Sequence, residues 1–263
     1  MSCRKVIGFI LITPVFVLLS HYLAVYPHEF SHSFMAWALG FKHNPLAIDF
    51  GGTSWLNILL LINIDENVNY QFLISHGHLY AMALIAFAGP GLANGLLYVI
   101  SLILLNLKSL YKHKIIYYFI FWFNFMNLCN FYDYIPIRTL TNHGDVAHFS
   151  TGLGVSPWWV YLIGGYIVFM LIWFFFTRTL MKTVTVLNFS ESFTIKLMLS
   201  ILCIALLFGY FALPGILSNY GQLSFLISIS SISAIPGVIF AAWPARSWVK
   251  QRLEFYASKV KKS

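Results

Sequence analysis

Apolar runs long enough to cross about 30 Å of hydrocarbon recur along this chain at 6–25, 79–105, 115–135, 158–177, 197–217 and 223–243. The pattern predicts six transmembrane helices joined mostly by short connections. One connection is long, 41–77. Within it Asp49-Phe50-Gly51-Gly52-Thr53 reads as a turn, and 55–64 is an apolar run too short to cross. Such a run is either a strand packed over the membrane face or a re-entrant segment. The glycine, β-branched and aromatic residues at 48–55 favour a short hairpin. Pro27 suits the first turn of a helix, so a helix is expected to restart or kink there, with 28–40 as its next segment.

Composition agrees with this pattern. The chain is 59% hydrophobic and 9% charged, against about 25% charged residues in an ordinary soluble domain. The expectation is an all-α polytopic membrane protein forming a single domain over 1–263. It divides into a core at 20–150, further spans at 157–243 and a basic tail at 244–263. The first run follows Arg4 and Lys5 like a signal peptide, but it is too long for an h-region and lacks a small-x-small cleavage site, so it reads as a retained anchor. Cys3, Cys129 and Cys203 are scattered, which indicates neither a disulfide framework nor a cysteine zinc site.

A net charge of +8 could suggest a nucleic-acid partner, but the distribution argues otherwise. With a cytoplasmic N-terminus, every lysine and arginine except Lys42 and Arg138 falls on the cytoplasmic side, as the positive-inside bias requires. The C-terminus is then cytoplasmic too, and the basic tail is a juxtamembrane contact with anionic lipid.

At the end of the first run stands His28-Glu29-Phe30-Ser31-His32. Histidines at i and i+4 share a helix face and can reach one Zn²⁺, while the glutamate beside the first can deprotonate a zinc-activated water. A catalytic zinc needs a third protein ligand. In the six-span topology His21, His43, His76, His78, His143 and His148, with Asp49, Asp65, Asp133 and Asp145, fall in or toward the outer half where the motif emerges. His113 alone lies inside. For most of these residues a loop or interface role is an equally ordinary reading.

Three segments carry a resemblance: HEFSHSFMAWALGF followed by DFGGT, AGPGLAN in the second run, and YIPIRTLTNHGDVAH after the third. Together, over about 28–148, they look like the site-2 protease family of intramembrane zinc metalloproteases. The resemblance implies zinc ligands at His28 and His32, a general base at Glu29 and a third ligand at Asp145, with Asp133 as the alternative. It also implies oxyanion or substrate-positioning roles for Asn94, Asn127, Asn130 or Arg138. The implied substrate is a transmembrane protein segment, locally unwound. A metal transporter or sensor, or an inactive scaffold of the same fold, is the competing reading. A transporter should place its ligands near the midplane with access from both sides.

Overall fold

The computed structural model describes residues 3–61, 63–218 and 220–261, with side chains described from Ile7 to Val260 apart from Ile62 and Asn219. The side chains of Cys3 from the cysteine reading and of Arg4, Lys5 and Lys261 from the charge distribution, and Lys262 as a whole, therefore lie outside the described residues. The protein is all-α. Its helices are α1 (Cys3–Ala38), α2 (Trp55–Leu60), α3 (Tyr70–Ser75), α4 (Leu79–Phe87), α5 (Gly95–Leu104), α6 (Lys114–Tyr132), α7 (Asp145–Leu153), α8 (Pro157–Phe174), α9 (Leu180–Val186), α10 (Phe193–Phe208), α11 (Pro214–Leu217), α12 (Gln222–Ala241) and α13 (Ser247–Lys261).

Among the described residues, five helical segments are long and apolar enough to cross a membrane: Ile7–Ala38, Leu79–Leu104, Pro157–Val186, Phe193–Leu217 and Gln222–Ala241. The sixth expected span, 115–135, is helical but misses that standard, because tyrosines, Trp122 and three asparagines dilute its apolar character. It is the central helix of the bundle. Tyr117, Phe121, Trp122, Phe125, Met126 and Leu128 on α6 are essentially inaccessible, and α6 packs against α1, α5 and α8. The outward residues of α1 and α8, such as Leu11, Val15, Trp159 and Ile163, are exposed, as a lipid-facing surface requires.

Two local expectations are corrected. Helix α1 does not restart at Pro27 but runs through both Pro14 and Pro27. A proline lacks its N–H, and beside this gap the Ala24 carbonyl accepts a hydrogen bond from the Asn94 side chain at 2.9 Å. Nor is there a hairpin at 48–55. Among the described residues there is no strand, only a single antiparallel bridge between Asp49 and Asp65. The apolar run between them begins as helix α2, because Ser54 caps its N-terminus by accepting from the Asn57 N–H and the Asn57 amide binds the carbonyls of Phe50 and Gly52.

Among the described residues, three π-turns interrupt or end long helical segments. Ala88–Asn94 joins α4 to α5, Asp133–Ile137 follows α6, and Phe175–Thr179 joins α8 to α9. The first two contain Pro90 and Pro136. In the second, the Arg138 N–H reaches back five residues to the Asp133 carbonyl at 3.1 Å. Wide turns of this kind shift the side chains that follow them and are frequent at functional sites. Both lie at the level of the histidine motif.

Candidate metal centre

The site is assembled from four elements. On α1, His28 and His32 sit one turn apart with ring centroids 4.7 Å from each other. The π-turn after α4 brings backbone against them: a side-chain carbon at Gly89 would collide with Nε2 of both imidazoles. The third element is α7. Gly144 precedes it with φ +88°, a conformation that favours glycine, and this turn sets Asp145 as the first helical residue. α7 then lies against α4 with Gly152 at the crossing, where a β-carbon would meet the Leu79 carbonyl at 2.5 Å. The fourth is the π-turn after α6, whose Tyr134 ring stacks on His28 at 4.6 Å and 19°.

Hydrogen bonds fix the tautomer that each neutral ring adopts. Nδ1 of His32 lies 2.6 Å from the Ile85 carbonyl oxygen, which can only accept, so that nitrogen carries the hydrogen. Nδ1 of His28 lies 2.6 Å from Oδ1 of Asn94, whose amide nitrogen already donates to the Ala24 carbonyl and, at 3.0 Å, to Oδ1 of Asn127. In the neutral rings both Nε2 atoms therefore present lone pairs. They stand 3.0 Å apart, and Oδ2 of Asp145 is 3.0 Å from one and 3.3 Å from the other.

Three electron-rich atoms at this separation repel unless a cation joins them. A tetrahedral Zn²⁺ shell with bonds of about 2.0–2.2 Å holds its donors about 3.3–3.5 Å apart, close to this triangle. Donation from each Nδ1 to a fixed oxygen is also the usual support for a metal-ligating histidine. His28, His32 and Asp145 thus fit a metal ion, and they form the one such group among the described residues. His28 and His32 are wholly buried, Glu29 nearly so, and only Asp145 keeps an appreciable opening, 13% of its side chain.

The remaining sequence candidates separate. Asp133 is not in the triangle. Its Oδ2 is bound by Arg138 Nη1 at 3.2 Å, and that guanidinium also sits over the rings of Tyr134 and Tyr220. Burial works against the Arg138 charge, but Asp133, with Tyr134 and Tyr220, more than offsets it and holds the group protonated far above neutrality. Asn94 has spent both amide hydrogens on Ala24 and Asn127, so it has none to offer an oxyanion and instead orients His28. Asn127 supports Asn94 and donates to the Phe123 carbonyl. Asn124 binds the Tyr98 carbonyl and Ser101 on α5, a helix-to-helix bond. His43, His76, His78, His143, Asp49 and Asp65 are exposed and outside the triangle. The ring of His148 stacks on Tyr70 at 4.0 Å, and burial holds its imidazole below its ordinary range.

Two cavities flank the centre. A polar chamber of about 90 Å³ is bordered by Glu29, Asn130, Asp133, Arg138 and the buried His21. On the other side an apolar groove of about 540 Å³ runs between Phe87, Phe131, Ile135, Phe149 and Ile163, with Asp145 in its wall. Several contributors escaped sequence reasoning. The Ile85 carbonyl carries no motif signature, and Gly89 and Tyr134, although inside the AGPGLAN and YIPIRTLTNHGDVAH segments, had no role at the site assigned to them. Glu66 is a buried carboxylate whose field reaches Glu29 and His32. Its only signal is an acidic side chain following an apolar run. Burial and Glu66 together push the Tyr70 phenol well above its ordinary range. Comparison with family models, with curated proteins and with solved structures yields no match for this chain.

Proposed function

We propose that this membrane protein is a zinc-dependent endopeptidase that cleaves transmembrane segments of other proteins, as its resemblance to the site-2 protease family implies. The observation that carries the reading is the donor triangle of His28, His32 and Asp145, with both imidazoles locked in the metal-ready tautomer. Bound there, Zn²⁺ would supply Lewis acidity toward the scissile carbonyl and the attacking water. Glu29, next in sequence to His28 and facing the polar chamber, takes the proton from that water and returns it to the departing amine nitrogen. Asn94 and the Ile85 carbonyl hold the rings in place throughout.

Arg138 and Asn130, the latter donating also to the Met126 carbonyl, border the same chamber as Glu29 and are candidate donors to a developing oxyanion. The apolar groove beside Asp145 suits a hydrophobic peptide, whose backbone must unwind for a carbonyl to be attacked. Glycine or proline in the substrate would ease that step. The termini and basic loops are assigned to the cytoplasmic side by the positive-inside bias, which puts the centre toward the opposite compartment.

The test is zinc content measured together with cleavage of a panel of transmembrane peptides, for the wild type and Glu29→Gln. Zinc in both proteins, with cleavage confined to the wild type, is expected. Equal cleavage by Glu29→Gln would overturn the assignment of the base. Zinc retention without cleavage by the wild type across the panel would favour an inactive scaffold.

A further inference from the structure

The far end of α6 holds a second, unrelated concavity. A cavity of about 350 Å³ lies between the ends of α5 and α8, the 3₁₀ turn Lys108–Lys112, α9 and α13. Lys108, Arg178, Lys182, Arg252 and Lys259 line it, and none has a carboxylate within ion-pair distance among the described residues. The one acid on α13, Glu254, is not part of the lining. Gathering like charges around one hollow is costly unless a counter-charge enters it.

Local contacts hold these cations in place without neutralising them. Lys182 donates to the Leu105 carbonyl at 3.0 Å and to Oδ1 of Asn106 at 2.7 Å, and its ammonium lies 5.2 Å from the centre of the Tyr111 ring. Arg178 rests over Phe174 and Lys259 over Phe255. Thr179 is 95% buried, borders the cavity, and its hydroxyl has no hydrogen-bond partner. The remaining wall is apolar, with Leu102, Leu105 and Phe174.

We propose that this cavity binds the phosphate of an anionic phospholipid, with the glycerol and upper acyl carbons against the Leu102 and Phe174 wall. The chemistry recognised is a phosphate ester, which the guanidinium and ammonium groups and the Thr179 hydroxyl can engage together. Lipid is the favoured source because of position. Tyr117 near the start of α6 lines this cavity and Asp133 just beyond its end lines the chamber at the metal centre, so the two sites are separated by most of the 19-residue length of α6, about 24 Å at 1.5 Å per residue. That is most of the roughly 30 Å thickness of the hydrocarbon core. The cavity therefore sits at a membrane boundary, at the end rich in basic residues, where anionic headgroups gather. The proposal is independent of whether the metal centre hydrolyses peptides.

The experiment uses the full chain in phosphatidylcholine nanodiscs with and without phosphatidylglycerol, and counts retained lipid by native mass spectrometry. Arg178→Gln/Arg252→Gln is expected to weaken phosphatidylglycerol retention by about tenfold or more. The charge-matched control Lys112→Gln/Lys250→Gln, outside the cavity, should leave it within about twofold of wild type, as expected where the removed charges are not ligands. Arg178→Lys/Arg252→Lys should recover most of the retention, which separates lost charge from lost folding. Equal losses in the control pair, or equal retention of phosphatidylcholine, would overturn the site in favour of diffuse attraction. Displacement of the lipid by inorganic phosphate at physiological concentration would overturn lipid as the source and assign the cavity to a soluble phosphate.

Discussion

The two ends of α6 handle polar groups in opposite ways. At the metal end the groups that frame the donor triangle are paired within the chain: Asn94 donates to Ala24 and Asn127, His32 to the Ile85 carbonyl, and Arg138 to Asp133. At the basic end five cations surround a cavity, with no acid among the described residues paired to them. An enclosed polar group costs free energy unless it is paired, so the metal end must carry its own partners. The basic end borders a charged membrane surface and can leave its pairing to lipid. A site that orients ligands to fractions of an ångström is built by the first strategy, whereas a docking cavity for a flexible headgroup needs only the second.

The comparison breaks most readily at Glu29, the one buried carboxylate at the metal end given a chemical rather than a binding role. Glu29→Gln should lower peptide cleavage by about 10²–10⁴-fold, the usual worth of a positioned general base, with zinc still bound by elemental analysis. The next effect is on metal itself. His28→Ala, His32→Ala and Asp145→Ala should each abolish stoichiometric zinc, whereas Asp133→Ala should retain it and merely release Arg138. Zinc lost from Asp133→Ala and kept by Asp145→Ala would reverse the ligand assignment.

Gly89→Ala tests whether the π-turn shapes the donor triangle, since the added methyl would collide with Nε2 of both histidines. Zinc affinity should fall by at least the amount lost when a supporting partner is removed, about 10–100-fold. Unchanged affinity by competition with a chelator would show that the turn relaxes freely. Asn94→Ala removes only the orienting bond to His28 and should cost about 10–100-fold in zinc affinity, with Asn127→Ala weaker because it acts through Asn94. The smallest expected effect is on stability. Gly152→Ala overpacks the crossing of α7 on α4 and should cost about 1–3 kcal/mol, read as a lower midpoint of thermal unfolding. Zinc should partly restore the midpoint, because a ligand that binds the folded state stabilises it.

How far the site could be read in advance depended on how local its geometry is. His28 and His32 were legible because a helix puts i and i+4 on one face whatever surrounds it. Order along the chain favoured Asp145 as the third ligand and left Asp133 as the alternative. The difference lies in α7 folding back along α4, and that requires a crossing close enough for Gly152 to meet the Leu79 backbone. Asn94 stood out as part of AGPGLAN, with an oxyanion or substrate-positioning role implied by the resemblance, and in the structure its amide hydrogens go to Ala24 and Asn127. Whether an amide has a hydrogen left to donate depends on two other helices. The hairpin expected at 48–55 failed because β propensity says little without a sheet to join, and Ser54 with Asn57 offered local helix capping instead.

Hydrophobicity and period, both properties of short windows, determined from sequence alone that the chain is an all-α membrane protein with two histidines and a glutamate at the end of its first apolar helix. Tertiary structure alone decided that α6 is a buried centre rather than an ordinary lipid-facing span. It also decided which acid meets the histidines, and that a glycine in a π-turn leaves room for their rings. These outcomes depend on contacts between residues far apart in the chain, such as the 117 positions separating His28 from Asp145. No local pattern specifies such contacts, because they follow from how whole helices pack.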